Sequence, residues 1–216
     1  MTALLLGSIS TLADTSERQR EAFNAAFAEH GLDWTWDRDE YRSMLSTAGG
    51  RDRIAAHAES VGADVDADAI HATKSRLFQE SVAADGLTPR AGVVDTVRAA
   101  RDAGQKVGLV TTTSRENVDA MLAGLSPDLG ADRFDVIVSR DDVDEPKPAA
   151  AAYEHALSQL GVQASDAIAV EDNTDGVDAA TAAGVTCVAF PNENTADHDF
   201  SAADRVVDQL DPSMVS

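Results

Sequence analysis

Three stretches of the chain place polar side chains at, or just after, the end of an apolar run. Thr111 follows Val-Gly-Leu-Val, and Lys147 lies between two prolines. Glu171 and Asp172 follow Ala-Ile-Ala-Val. Hydroxyl and ammonium groups can hold an anion, whereas carboxylate oxygens suit a hard cation such as Mg²⁺. Ligands of open parallel sheets bind beyond the carboxyl ends of the strands, so these residues converge on one site if the runs are neighbouring strands.

The second half of the chain alternates helical and strand-like patterns. The pattern predicts helices at 92–103, 114–124, 149–160 and 174–183, strands at 106–111, 134–138, 167–171 and 185–190, and a last element at 205–210. Gly104, Gly161 and Gly184 end three of these helices just before apolar runs, which is typical of βα units around a parallel sheet. With a first strand at 3–6, the sequence predicts an α/β fold with a three-layer parallel-sheet core.

Residues 15–90 have a different pattern. Helices are predicted at 15–30, 37–47, 51–61 and 66–84, with short polar connections and no strand between them. We therefore expect a core of residues 1–14 and 91–216, with a small helical cap of residues 15–90 inserted after the first strand. Pro89 and Gly92 are expected in the return hinge.

Several motifs, in this order, resemble those of the haloacid dehalogenase (HAD) superfamily. Thr111, Lys147 and the run Val170 to Gly176 (Val-Glu-Asp-Asn-Thr-Asp-Gly) resemble its motifs two, three and four. The runs at 22–24, 49–53 and 111–114 resemble its CbbY-like branch, phosphatases that act on xylulose-1,5-bisphosphate. The resemblance covers nearly the whole chain. It implies a HAD-like, Rossmann-like core, a Mg²⁺-dependent phosphatase or hydrolase, and a sugar phosphate or bisphosphate as the small-molecule partner.

The resemblance gives each matching residue a role. Thr111 corresponds to the hydroxyl donor and Lys147 to the ammonium that hold the charged phosphoryl oxygens. Asp172 corresponds to the Mg²⁺ ligand, and Glu171 supports the metal directly or through water. Two alternatives need no function: Lys147 as a surface turn lysine, and the acidic pair as a solvated helix N-terminus. Lysine is scarce, with three in the chain, and this favours a specific role for Lys147.

Motif one departs from the family pattern, Asp-x-Asp-Gly-Thr. The stretch from Leu6 to Thr15 reads Leu-Gly-Ser-Ile-Ser-Thr-Leu-Ala-Asp-Thr, and its second half fixes the register. Gly7 then stands at the nucleophile and Ile9 at the acid/base position. Glycine has no side chain, and isoleucine cannot transfer a proton. The resemblance therefore implies a phosphatase impaired as written, or a catalytically silent phosphosugar-binding or regulatory relative.

Two further possibilities concern the altered loop: a substitute serine nucleophile, and an origin by frame shift. Ser8 or Ser10 would need a base to become a nucleophile, and no histidine or lysine lies near them in the sequence. Alternatively, a codon string for Phe-Asp-Leu-Asp, read one base later, gives Ser-Ile-Ser-Thr, the residues at 8–11. A pair of compensating frame shifts would thus produce this loop.

In the CbbY-like branch, the helical insert closes over the rest of the substrate. On that resemblance the substrate-binding residues are the following: Glu17, Gln19, Gly50, Arg51, Arg53 and Thr112. Arg51 and Arg53 can each clamp an anion with two N–H groups. As surface arginines of a helix they would need no such role. Gln19 stands where the family usually has a histidine.

The charge balance limits the partners. Lys and Arg number 17 against 38 Asp and Glu, a net charge of −21, so nucleic acid and anionic membranes are repelled. The acid-rich, lysine-poor composition resembles proteins of salt-accumulating haloarchaea; an ordinary acidic bacterial protein is the alternative.

The sequence contains no run of about 18 apolar residues, so we expect no membrane-spanning segment. A single cysteine, Cys187, excludes an internal disulfide. We expect a halophilic, cytoplasmic monomer.

Overall fold

The computed structural model describes residues 2–7, 9–46 and 49–215. Its strands and longer helices, in chain order, are β1 Ala3–Leu6, α1 Ile9–Leu12, α2 Ser16–Glu29, α3 Arg38–Ser43, α4 Gly50–Val61, α5 Ala67–Asp85, α6 Val93–Asp102, β2 Lys106–Val110, α7 Arg115–Gly124, β3 Val136–Val138, α8 Ala151–Leu160, β4 Ala167–Glu171, α9 Thr174–Ala182, β5 Thr186–Ala189 and β6 Arg205–Val206. Short 3-10 segments lie at Met44–Ser46, Ala131–Arg133, Arg140–Asp142, Ala164–Asp166 and Pro212–Val215.

The strands form one parallel sheet in the order β3-β2-β1-β4-β5-β6. From β1 the chain builds outward through β2 and β3, then returns to add β4 on the other side of β1. Leu6, the last residue of β1, is level with Leu109 of β2 and Val170 of β4. The point where the strand order reverses therefore lies beside the carboxyl end of β1, which is where such sheets bind ligands.

Alternate residues of β1 enter two separate apolar clusters, because successive side chains of a strand point to opposite faces. Leu4 and Leu6 belong to one cluster, and Ala3 and Leu5 to the other. The first cluster includes buried residues of α6 and α7, and the second includes those of α8 and α9. Helices thus cover both faces of the sheet, and the predicted three-layer α/β fold class is confirmed.

The chain divides into two compact units. Met1–Asp14 and Gly86–Ser216 form the α/β unit, and Thr15–Asp85 forms the helical unit. The helical unit has its own aromatic core around Phe23, Phe27 and Trp36, which are almost fully buried. None of the helices in the described ranges combines the length and apolar character that a membrane span requires.

Candidate functional site

The α/β unit places three of the predicted site positions at the ends of adjacent strands. Gly7 follows β1, Thr111 follows β2, and Asp172 follows β4. The backbone N–H of Gly7 donates to Val170 O (2.8 Å), which extends the ladder by one residue. Thr111 is buried, and its Oγ1 accepts from the Thr113 N–H (3.2 Å). Parallel pairing therefore brings together positions that are far apart in the sequence.

Lys147 reaches the same strand ends from its loop. The side chain is 5% exposed, so Lys147 is not a surface turn lysine. The ammonium donates to Val110 O at the end of β2 (2.7 Å) and forms an ion pair with Oε1 of Glu171 at the end of β4. A buried charge requires such a partner because desolvation of an isolated ammonium is costly.

Glu171 is fully buried and points inward. Its Oε1 accepts from Lys147 and from the Tyr153 hydroxyl (2.7 Å). Its Oε2 has no hydrogen-bond partner within the described residues. Burial raises the pKa of Glu171, and burial together with the Glu171 charge holds the pKa of Tyr153 well above its usual value. The three side chains form one polar cluster inside the α/β unit.

Gly7 makes room for this cluster. A Cβ atom on Gly7 would lie 2.1 Å from Glu171 Cδ and 2.2 Å from its Oε2. A Cβ on Gly176 would lie 2.2 Å from the same two atoms. Such distances are far shorter than any real contact between carbon atoms, so the carboxyl group fills the space beside both glycines. The position of the predicted nucleophile is thus occupied by the side chain of Glu171.

Asp172 is held by a shell of hydrogen bonds, so it is not part of a solvated helix end. Oδ1 accepts from Thr11 Oγ1 (3.3 Å) and Asn173 Nδ2 (3.1 Å), and Oδ2 accepts from Asn192 Nδ2 (3.2 Å). The backbone carbonyl accepts from Thr195 Oγ1 (2.7 Å). Asn173 caps α9 by accepting from the N–H of Gly176 (2.8 Å). The carboxylate is therefore oriented, and it is 3% exposed.

The predicted Mg²⁺ ligands do not form a metal site in this arrangement. Glu171 directs one oxygen to Lys147 and packs the other against two glycines. Within residues 2–7, 9–46 and 49–215, no group of three or more acidic, histidine or cysteine side chains could hold a metal ion. Gly7 adds no carboxylate, so Asp172 remains as the oriented oxygen ligand. The residues present do not fit the ion that the resemblance implies.

The loop after β1 is fixed by Arg90. Its guanidinium donates to Ser10 O (3.0 Å), Phe190 O (2.9 Å) and Pro191 O (2.5 Å), and lies 3.4 Å from the centre of the Phe190 ring. Ile9 begins α1 and is buried in the first apolar cluster. The side chain of Ile9 thus contributes to packing. Of the two serines considered as substitute nucleophiles, Ser8 lies outside the described residues.

Some of the residues predicted to bind substrate meet in the helical unit. Gln19 accepts a hydrogen bond from Lys74, and a Cβ on Gly50 would lie 2.9 Å from His71 Nε2. Arg53 lies 5.5 Å from the centre of the Tyr41 ring, and its Nε donates to a backbone carbonyl.

Lys74 is the most perturbed group of this cluster. It is 5% exposed and lies 4.7 Å from the centre of the Phe23 ring. Burial, and next the charge of Arg53, lower its pKa to about 7. Burial and the charge of Lys74 also lower the pKa of His71. Arg53, His71 and Lys74 are thus basic groups in one electrostatic neighbourhood, which suits an anion; we call them the basic cluster.

Other predicted substrate-binding residues lie elsewhere. Arg51 is exposed and paired with Asp68 (2.9 Å) and Asp52 (3.0 Å). Glu17 pairs with Arg20 (2.9 Å) and also with Arg38, and its pKa is lowered chiefly by the hydrogen bond from Arg20. Thr112 is half-buried beside Thr111 in the α/β unit. These ion pairs leave Arg51 and Glu17 engaged with neighbouring side chains.

The sequence prediction missed four residues: His71 and Lys74 of the basic cluster, Tyr153 of the polar cluster, and Asn192, which donates to Asp172. The scarcity of lysine, which favours a specific role for Lys147, favours one for Lys74 as well. Tyr153 lies in the first turn of α8, and Asn192 lies in the loop after β5, without a spacing that marks either as a site residue.

Comparisons with known proteins identify the family of this chain. Residues 10–190 match the family described as haloacid dehalogenase-like hydrolase, a match that begins after positions 7 and 9. Protein CbbY of Rhodobacter capsulatus is 39% identical, with 96% of this chain and 93% of the relative aligned. The crystal structure of a CbbY mutant from Rhodobacter sphaeroides in complex with xylulose-1,5-bisphosphate has a TM-score of 0.90 and 38% identity, and covers 97% of this chain and 95% of that chain. The CBBY-like protein of Arabidopsis thaliana is 35% identical, with 95% of this chain and 68% of the relative aligned. The chain therefore belongs to the haloacid dehalogenase-like hydrolases, in the CbbY-like phosphatase branch.

Proposed function

We propose that this chain binds a phosphosugar in the manner of CbbY-like phosphatases but has lost phosphoester hydrolysis. The observation that carries the proposal is at position 7, where a glycine stands at the end of β1 and the Glu171 carboxyl fills the space beside it. Thr111 and Lys147 remain as candidate donors for a phosphoryl group. A sugar phosphate or bisphosphate is the proposed ligand, because a relative of 38% identity was crystallised with xylulose-1,5-bisphosphate.

The loss of hydrolysis follows from the residues that are present. Covalent phosphatase chemistry needs a carboxylate that attacks phosphorus and a group that protonates the leaving oxygen. Gly7 offers no attacking atom, and Ile9 packs in the apolar cluster. Thr111 Oγ1 and Lys147 Nζ can bind and orient phosphate oxygens, but neither starts the first step.

Proteins of this family generally use Mg²⁺, whose role there is to neutralise charge on the phosphoryl oxygens. We propose that Mg²⁺ binding by this chain is weak or absent, because Asp172 is the one oriented carboxylate that the described residues place at these strand ends, and Glu171 faces Lys147. An impaired enzyme and a silent phosphosugar-binding or regulatory protein share this site. They differ in whether restoring the two lost side chains restores turnover. We further propose that the chain acts as a monomer.

Binding of xylulose-1,5-bisphosphate tests the proposal by isothermal titration calorimetry in molar KCl. Thr111→Val removes the buried hydroxyl, and we expect it to weaken binding by about tenfold or more, since a hydrogen bond to a charged group is lost. Thr186→Val is the matched control, because Thr186 is exposed at the opposite end of its parallel strand. Equal affinities of the two variants, or no binding by the unmodified chain, would contradict the proposed ligand site.

A further inference from the structure

The carboxyl group of Glu171 is in its place because residue 7 is a glycine. Ideal Cβ atoms on Gly7 and Gly176 would each lie within 2.5 Å of all three atoms of this carboxyl group. Gly7 does not have a positive φ angle, so its backbone does not itself require glycine. Any side chain at position 7 would thus have to displace Glu171, and the reason is steric.

The buried ion pair neutralises the cation that would bind phosphate. Lys147 Nζ has two described acceptors, Val110 O and Glu171 Oε1. Tyr153 donates to the same Oε1 and holds the carboxyl group in this position. An incoming phosphate would meet an ammonium already paired with a carboxylate, and the carboxylate would repel it.

We propose that Glu171 competes with phosphate from within the site: having taken the space beside position 7, its carboxylate pairs with Lys147, weakens phosphate binding by that ammonium and is withdrawn from metal binding. Phosphate then binds only in competition with an internal ion pair, and Glu171 does not act with Asp172 as a metal ligand. The steric part of this proposal stands on the geometry alone, whereas the part concerning phosphate rests on the proposed function.

A double-mutant cycle tests the steric part without any ligand. We expect Gly7→Ala to lower the thermal midpoint by about 5 °C or more in the unmodified chain, because the methyl group displaces a buried, paired carboxylate. In a Lys147→Met/Glu171→Ala background, which removes both charges and vacates the space, the same change should cost less than about 2 °C. An equal loss in both backgrounds would overturn the proposal.

Inorganic phosphate tests the electrostatic part by calorimetry. Glu171→Gln keeps the shape of the side chain and its acceptor for Lys147 and Tyr153, but removes the competing charge. We expect this variant to bind phosphate about tenfold or more tightly than the unmodified chain, with both checked for folding by thermal unfolding. Equal or weaker binding by Glu171→Gln would overturn the proposed competition between Glu171 and phosphate. If neither protein binds phosphate while the cycle still shows coupling, the proposed phosphate site fails and the steric role of Glu171 stands.

Discussion

The two units of this protein bury one lysine each, and they stabilise it in opposite ways. In the α/β unit, Lys147 pairs with the carboxylate of Glu171 and donates to a backbone carbonyl. In the helical unit, the described partners of Lys74 are an amide oxygen and two aromatic rings, and the nearby charge of Arg53 has the same sign. The first cation is neutralised internally, whereas the second is left to an anion or to loss of its proton.

This difference shows where affinity for an anion lies. In a chain of net charge −21, an internal basic group without a carboxylate partner is an unusual feature that costs stability. In the α/β unit the carboxylate of Glu171 offsets that cost for Lys147. In the helical unit the described partners of Lys74 include no carboxylate, so the cost remains. The helical unit is thus the better candidate for attracting an anion in the unliganded protein.

The largest expected effect concerns the ion pair. Lys147→Met leaves Glu171 buried without its cation, and we expect the free energy of unfolding to fall by about 3–5 kcal/mol. Urea unfolding in molar KCl measures this change. Lys106→Met is the matched control, because Lys106 is exposed at the start of β2. If the two variants were equally stable, the ion pair would not be the stabilising contact described here.

Lys74 should behave in the opposite way. Its pKa of about 7 in the folded protein lies below the value of 10.5 expected in the unfolded chain. Between these pH values the unfolded chain binds more protons, so this lysine makes the free energy of unfolding rise with pH over that window. As pH falls, the decrease begins near 10.5 and is complete at about 7. Lys74→Met should be neutral or stabilising at pH 7, and should flatten the rise in unfolding free energy between pH 7 and 10.5. A rise of unchanged slope in the variant would contradict the perturbed pKa.

Salt concentration should change the contribution of the exposed acids to stability but not that of the buried ion pair. The thermal midpoint of the unmodified chain should rise from low to molar KCl, since the Debye length shrinks to about 3 Å at 1 M and mutual repulsion of the acids is screened. The penalty of Lys147→Met should hardly change over the same series, because buried pairs are screened far less. A flat or falling midpoint would remove the halophilic interpretation.

The smallest effect is expected at Arg51. Its ion pairs with Asp68 and Asp52 are exposed, so Arg51→Gln should leave both the thermal midpoint and xylulose-1,5-bisphosphate affinity unchanged. Arg53→Gln should weaken that affinity, because Arg53 belongs to the basic cluster. Weaker binding by Arg51→Gln than by Arg53→Gln would reverse this assignment.

Much of the fold could be predicted because helix-ending glycines and apolar runs mark each βα unit. The exact ends of the strands and helices were harder to predict. Strand β3 begins at Val136, two residues later than predicted, since the side chain of Asp135 accepts a hydrogen bond from the Val107 N–H. The four-residue helix α1 was not predicted, and β6 is confined to Arg205–Val206.

The site was predictable only in part. The strand-end placement of Thr111 and Asp172 follows from parallel pairing. The inward position of Glu171 depends on Gly7 and Gly176 together, two glycines that are distant in sequence and meet only in the fold. No local pattern encodes that coincidence, just as none marks Tyr153 as the hydroxyl that holds the carboxyl group.

The most direct test of the central claim is phosphate release from xylulose-1,5-bisphosphate in molar KCl with Mg²⁺. The unmodified chain should release none above the buffer rate, because residues 7 and 9 supply neither nucleophile nor acid. A variant with Gly7→Asp and Ile9→Asp, together with Ser10→Gly for the loop, should recover phosphate release once Glu171 is displaced. Thermal unfolding checks that this variant is folded.

Recovered release would identify an impaired enzyme. A folded variant that stays inactive but binds the sugar would favour a binding protein. Steady release by the unmodified chain would contradict the loss of hydrolysis, and release that survives both Lys147→Ala and Asp172→Ala would also contradict the assignment of the site.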